Sequence, residues 1–349
     1  MVKPRFLYGI GATLALSMVL AGCGASATPS SSSSASSSQK LVFYSAQGYD
    51  QAEATAFQKA TGIKVELSDM STGPLLAKVM AEKQNPKWDV IWFDGNGAMA
   101  SLDQQNMLLR GFTPATATNY TSLGRSLLPI DHAYFPTGTT AAGAIAYNTT
   151  LVPPNEVPTT WSDLLSPFFK GAVGMNNPAI SGPTYPLVAG MFKQMGVSQG
   201  MAYFKALKAN GLQIFATNGN TLQALENGTI KVAMFQDSAE LNAKLSGAHI
   251  GVVYPSDGVT LLPSDIAINA KAPDMAAAKK FVTWVLSQQG QKTMQDIQAA
   301  GSDSLFQPVT SVIQPLVTRP GVVWINVNPV WAGAHQQAWT TWFTNNIVR

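Results

Sequence analysis

The sequence predicts an α/β protein built on parallel strands, and three observations carry that prediction. Short apolar runs alternate with stretches of helical period across residues 41–97. Glycine, serine and asparagine punctuate the joins, as a strand–helix–strand rhythm requires. Finally, 46% of the 349 residues are apolar and 12% charged, so the chain can bury a sizeable core, as one large domain or two lobes of ordinary size.

The elements follow in order. Leu41-Val42-Phe43-Tyr44 is a short buried strand that breaks at Ser45-Ala46-Gln47-Gly48. Residues 49–60 have helical spacing, and Gly62 stops them as a C-terminal cap. Ile63-Lys64-Val65-Glu66-Leu67 alternates as a second strand, closed by Ser71-Thr72-Gly73-Pro74. Pro74 in a first helical turn leads into an apolar stripe of Leu75, Leu76, Val79 and Met80. Asp89-Val90-Ile91-Trp92-Phe93 is a third strand, and Asp94-Gly95-Asn96-Gly97 turns into another helix.

Later segments give the outline of a second lobe. Residues 143–148 form a strand that crosses into it. A helix after Gly182, an amphipathic stretch over 200–210 and a strand over 231–235 belong to it, and residues 259–267 cross back. Asp274 caps a helix that buries Ala278, Phe281, Val282, Val285 and Leu286. The tail carries Trp324, Trp331, Trp339 and Trp342 and must pack on the body, because exposed it would be a large apolar patch.

Charge and cysteine count remove several function classes. Lys plus Arg number 22 against 19 acidic residues, and setting aside Lys3 and Arg5 leaves a charge of +1. That balance offers no electrostatic footprint for nucleic acid. One cysteine excludes disulfide frameworks, CxxC redox pairs and thiolate zinc sites, and His132, His249 and His335 are too scattered for a local metal motif. Neither metal nor cofactor is expected. Residues 95–100 fit G-x-G-x-x-A, but residues 113–120 lack the acidic partner of a dinucleotide site. GxSxG, HExxH and Walker patterns are missing too, so the chain reads as no enzyme.

The amino end reads as an address. Lys3 and Arg5 precede an apolar run over residues 6–20, which is shorter than the roughly 20 residues of a membrane span and is broken by glycines. It closes on Leu20-Ala21-Gly22-Cys23, which resembles the lipobox of bacterial lipoproteins. The resemblance implies cleavage before Cys23 and diacylation of its thiol, leaving the mature protein tethered to the outer face of the cytoplasmic membrane. Residues 30–38 are serine apart from Ala35, and such a spacer behaves as flexible coil.

Two strings carry a wider resemblance: LVFYSAQGYDQAEATAFQKATGIKVEL and STGPLLAKVMAEKQNPKWDVIWFDG. With TWSDLLSPFFKGAVGMNNPAISGPTY, LENGTIKVAMFQDSA and the segment from VVYPSDG to VLSQQGQ, they resemble extracellular solute-binding proteins of ABC transporters. The nearest subgroup serves ferric iron, phosphonates, and phosphorylated or polyamine-like solutes. The resemblance implies a two-lobed periplasmic-binding-protein fold, type II-like, with the ligand in a cleft between lobes. It implies a monomer that closes on a small molecule and docks on a permease driven by an ATPase. The expected organisation is a signal peptide at 1–22, lipidated Cys23 and linker at 23–39, lobe 1 at 40–142 and lobe 2 at 143–258. A return segment, mainly on lobe 1, occupies 259–310, and the tail 311–349.

Ligands of open α/β sheets sit beyond the carboxyl ends of the strands. The segments leaving those ends supply Ser45 and Gln47, then Ser71, Thr72 and Gly73, then Asp94. Further along come Ser181, Gly182 and Thr184, followed by Asn218 and Asn220. Free N–H groups at helix starts, with hydroxyls, make an anion site without a basic side chain, although each residue alone also serves as an ordinary N-cap. Asp94 and Asp237 fall where the family's pocket residues lie, so phosphonate or phosphate on helix dipoles with an ammonium on Asp237 is the expected arrangement. Tyr254 completes the expected set, and Tyr44 and Tyr185 either line the cleft or fill core.

Ferric binding is the main alternative. Ferric members of the family carry adjacent tyrosines late in the second lobe, where this chain reads Phe235-Gln236-Asp237, and it has no Tyr-Tyr pair. A structural or adhesive lipoprotein explains the anchor but not the cleft-type loops.

Overall fold

A computed structural model describes residues 40–349. The expected signal peptide, Cys23 and the serine-rich spacer lie outside the described residues.

The first sheet grows from the pattern at the start of the globule. Strand β1 (Lys40–Ser45), helix α1 (Asp50–Thr61), strand β2 (Lys64–Asp69), helix α2 (Thr72–Ala81), strand β3 (Val90–Asp94) and helix α3 (Asn96–Gln104) alternate as expected. β1 lies between β2 and β3 and runs parallel to both, with Phe43 beside Leu67 and Val90. All five residues of β3 are buried, the mark of a parallel strand covered on both faces. Gly62 ends α1 with φ 72°, and its N–H bonds the Gln58 carbonyl. Only glycine takes that conformation without a Cβ penalty.

After the short helix α4 (Ser122–Leu127), strand β4 (Phe135–Ala141) joins the first sheet. Two residues, Ala142 and Gly143, separate it from β5 (Ala144–Asn148), which belongs to a second sheet. That sheet also holds β6 (Val173–Asn176), β7 (Gln213–Phe215), β8 (Val232–Phe235) and β9 (Ile250–Val253), in the order β7-β6-β8-β5-β9. Helices α5 (Thr184–Met195), α6 (Val197–Ala209), α7 (Asn218–Glu226) and α8 (Asp237–Leu245) connect them. Strand β10 (Val259–Ile268) then returns to the first sheet between β3 and β4.

The parallel strands expected from the first strand–helix repeats are present, since β1 runs parallel to β2 and β3, but each sheet as a whole is mixed. β10 runs antiparallel to β3 and β4, and β5 antiparallel to β8 and β9. The reason is the chain's route: strands that cross between sheets enter against the direction of the βαβ units they join.

Helix α9 (Met275–Val285) starts at Asp274, whose side chain accepts the Ala277 N–H at 2.9 Å, and buries Phe281, Val282 and Val285. It is followed by α10 (Gln288–Gln295), α11 (Ile297–Ala300), β11 (Trp324–Ile325) and the C-terminal α12 (Pro329–Phe343). The tail packs on both halves of the molecule. Trp339 meets Phe192 of α5 edge-on at 5.0 Å between ring centres, and Phe343 is fully buried in the same core. One and a half turns earlier, Gly333 lies against α3, where a Cβ would stand 2.3 Å from the Gly97 carbonyl oxygen.

Candidate functional site

The loops that leave β1, β2, β3, β6, β7 and β8 meet between the two sheets. They enclose a cavity of about 230 Å3. On the first-sheet side it is lined by Ala46, Ser71, Thr72 and Asp94, and on the other by Ser181, Gly182, Pro183, Thr217, Asn218, Gly219 and Gln236. Ser302 and Asp303, from the turn after α11, close one end. No Lys, Arg or His belongs to the lining. The volume lies below the roughly 300–1,000 Å3 of drug-sized pockets, which suits a compact solute.

Three helix starts face this space. Ser71 precedes α2 and Pro183 precedes α5, and neither side chain caps its helix. In their first turns the Gly73 and Thr184 N–H groups already bond the Ile180 and Ser181 carbonyls and Pro74 and Pro186 have none, which leaves the Thr72 and Tyr185 N–H groups to donate to a ligand. Thr217 before α7 is an ordinary cap, accepting the Asn220 N–H. Partial positive charge at helix starts favours an anion, and the hydroxyls of Ser71, Thr72 and Ser181 add donors.

The halves touch directly here. The Gly73 N–H donates to the Ile180 carbonyl at 3.1 Å. Gln236, at the end of β8, donates through Nε2 to Asp94 Oδ2 at 3.1 Å and to Thr140 Oγ1 at 3.1 Å. Gln47 Nε2 donates to Asp94 Oδ1 at 3.0 Å and to Ser264 Oγ at 2.7 Å. The relay continues across the second sheet: Asn218 Nδ2 donates to Gln236 Oε1 at 3.0 Å, and Asn176 Nδ2 to Asn218 Oδ1 at 2.6 Å. Asn176 Nδ2 also reaches Ser181 Oγ at 3.2 Å. These bonds fix the polar faces of the cavity in advance, which lowers the ordering cost of binding.

Burial pushes the Asp94 carboxyl above the usual carboxylate range, with Gln47, Ser264 and Gln236 pulling the other way. Asp303 is raised to about 7, by burial first and by the Asp94 charge next. Its Oδ2 accepts the Gly48 N–H at 2.6 Å. Asp50 is raised to about 6 by burial and by Asp69. Among the described residues no group of three or more His, Cys, Asp or Glu side chains is placed to hold a metal ion.

Of the residues singled out in the sequence, Ser71, Thr72, Asp94, Ser181, Gly182 and Asn218 line the cavity. Ser45, Gln47, Gly73 and Thr184 stand directly behind it. Ser45 Oγ accepts the Gln47 N–H at 3.1 Å, and the Thr184 N–H bonds the Ser181 carbonyl at 3.2 Å. Asn220 is exposed on α7 and serves the cap. Asp237 departs from expectation: its Oδ2 lies 2.5 Å from Arg319 Nε and also accepts from the Tyr254 hydroxyl at 2.8 Å. Its Oδ1 accepts the Ala141 N–H at 2.9 Å. Asp237 and Tyr254 are thus outside the lining, and an ammonium cannot use a carboxylate already neutralised by a buried guanidinium. Tyr185 and Tyr44 fill core, the former donating to the Ala332 carbonyl and the latter lying against Trp88.

Gln236 and Asp303 were not picked out from the sequence. Gln236 carried a usable signal, since it directly follows β8 at the same sheet edge as the other loops. Asp303 carried none, because it reaches the cavity from a turn far along the chain.

A family model described as "Bacterial extracellular solute-binding protein" matches residues 52–302. The chain is 25% identical over 256 residues to the major ferric iron-binding protein of Neisseria meningitidis serogroup A, covering 71% of this chain and 76% of that one. It is 23% identical over 271 residues to a Salmonella typhimurium periplasmic protein named for 2-aminoethylphosphonate binding, covering 76% and 75%. Among solved structures it resembles the periplasmic binding protein AfuA from Actinobacillus pleuropneumoniae with fructose-6-phosphate bound, with a TM-score of 0.79 and 19% identity over 89% of this chain and 99% of that one. That last likeness concerns the two-lobed fold.

Proposed function

The chain belongs to the bacterial extracellular solute-binding proteins, and on that premise we propose that it captures a small anionic or zwitterionic solute for an ABC importer. The solute is a phosphonate or phosphate ester, held between the two halves and delivered to a permease when they close around it. One observation carries this reading. The starts of α2, α5 and α7 converge from both sheets on a single cavity lined by hydroxyls, amides and the carboxylates of Asp94 and Asp303, without a basic side chain. Helix starts hold phosphate-like groups in this way. The relatives named for 2-aminoethylphosphonate and the fructose-6-phosphate complex support the same chemistry.

Closure is favoured because the solute would bridge surfaces that already complement each other, as Gly73–Ile180 and Gln236–Asp94 do. We assign tethering to Cys23, on the lipobox-like pattern that ends there. Detergent-phase partitioning of the expressed protein, lost in Cys23→Ser, checks the anchor.

Ferric iron is the second reading, supported by the Neisseria relative. The paired-tyrosine donor set is missing, since no two tyrosines are adjacent, and among the described residues no group of three or more His, Cys, Asp or Glu is placed to hold a metal ion.

The deciding experiment is a thermal-shift panel on the Cys23→Ser protein with 2-aminoethylphosphonate, phosphate, sugar phosphates, ferric citrate, spermidine and thiamine. Ligand at 100 times its Kd adds about 2.7 kcal/mol, a rise of several degrees in a protein of this size. Selective stabilisation by a phosphonate or phosphate ester is the expected result. Stabilisation by ferric citrate alone would replace it with the iron reading.

A further inference from the structure

The cavity walls carry two formal charges, Asp94 and Asp303, and both are negative. An anion alone would therefore enter against two carboxylates, with only helix starts and neutral hydroxyl and amide donors in its favour. Two more carboxylates stand behind them. Asp50 is 3% exposed and its Oδ2 has no hydrogen-bond partner. It lies near enough to Asp69 and Asp303 for their charges to act on one another.

We infer that Asp303, backed by Asp50, Asp69 and Asp94, is the subsite for a cationic amine carried by the solute, so that the ligand is an amine-bearing anion. This rests on the proposed function and extends it by naming the second end of the ligand.

The geometry supports the assignment in three ways. Asp303 lines the cavity and uses Oδ2 to accept the Gly48 N–H, leaving acceptor capacity toward the interior. The same cavity is bordered by the α5 and α7 starts at Ser181, Gly182 and Asn218, so anion donors and carboxylates share one small space. An ammonium suits it better than a metal ion, because no three carboxylates or histidines among the described residues converge on one point. Buried carboxylates left without a countercharge are costly, and a ligand amine would supply the missing charge.

The test uses matched pairs: 2-aminoethylphosphonate with ethylphosphonate, phosphoethanolamine with ethyl phosphate, and fructose-6-phosphate as an amine-free sugar phosphate. Calorimetry is run on the Cys23→Ser protein and on the same protein with Asp303→Asn, whose amide oxygen can keep the Gly48 bond. The expected result is that one amine-bearing member binds about 10- to 100-fold more tightly than its partner, and that Asp303→Asn removes most of this preference. Binding of the amine-free partner should hold or improve in the variant. Equal binding of both members, or a preference unchanged in Asp303→Asn, would overturn the inference while leaving the proposed function. Ferric ion or a divalent cation binding alone, and lost in Asp303→Asn, would also overturn it. Failure of every anion in the panel would sink the proposed function itself.

Discussion

Arg319 and Asp237 form an ion pair sealed inside the protein, with Nε 2.5 Å from Oδ2 and side chains only 2% and 0% exposed. The other oxygen of Asp237 holds the N–H of Ala141, the last residue of β4, and Arg319 Nη2 donates to the Leu305 carbonyl at 2.6 Å. A residue of the tail thereby ties the start of α8 to the strand that crosses between the sheets. Asp237 is a structural anchor for the cavity wall beside it.

Breaking this pair from one side should destabilise strongly. Arg319→Met leaves a buried carboxylate without its countercharge, at a cost of about 3–5 kcal/mol. In urea unfolding, Arg319→Met with Asp237→Asn should be far less destabilised than the sum of the single changes. Additive losses would show that the two side chains do not depend on each other.

Stability should fall as pH rises between about 4 and 7. Asp303 and Asp50 hold protons in the folded state to about 7 and about 6, against about 3.9 when unfolded. The folded protein therefore binds more protons across that window, and raising pH favours unfolding. The facing charges are Asp69 and Asp94, so no cation offsets the effect. Asp303→Asn should melt higher than the parent at pH 8 and alike at pH 4. A parent melting curve that rises from pH 4 to 7 would refute this.

Two glycines lie where the halves meet, and the proposed closure should depend on them. A Cβ at Gly73 would lie 2.1 Å from the Ala179 carbonyl oxygen, and one at Gly182 would lie 2.3 Å from Thr72 Oγ1. Gly73→Val should hold the halves apart and weaken solute binding at least about tenfold, since closure is what buries the ligand. Small-angle scattering with saturating ligand should show a larger radius of gyration than for the parent. An unchanged affinity would show that these loops need not meet.

Gln236→Leu should weaken binding with little loss of fold. It removes a bond to Asp94 and leaves the Asn218 amide without its acceptor, together worth about 1.5–3 kcal/mol, or 10- to 100-fold in Kd. Gln236→Glu should be worse for an anionic solute, because it adds a third negative charge to the wall. Affinity retained in both variants would remove Gln236 from the site.

Local chemistry made much of the fold legible. Strands β1, β2 and β3, the Gly62 stop and the Asp274 cap follow from short-range rules, because propensity and capping involve residues a few positions apart. The hydroxyl and amide loops were legible as well, because strand ends announce themselves by their turn residues. The mixed strand directions were not, since β10 finds its neighbours β3 and β4 more than a hundred residues back along the chain.

The same division runs through the site. By itself the sequence determined that helix starts rich in Ser, Thr, Gly and Asn would leave the strand ends, and that no basic residue would accompany them. Only the tertiary structure decided which carboxylates are free. Asp237 is consumed by Arg319, 82 positions away, whereas Asp303 arrives beside Gly48 from 255 positions away. Charge pairing is a matter of distance in space, and packing alone sets that distance.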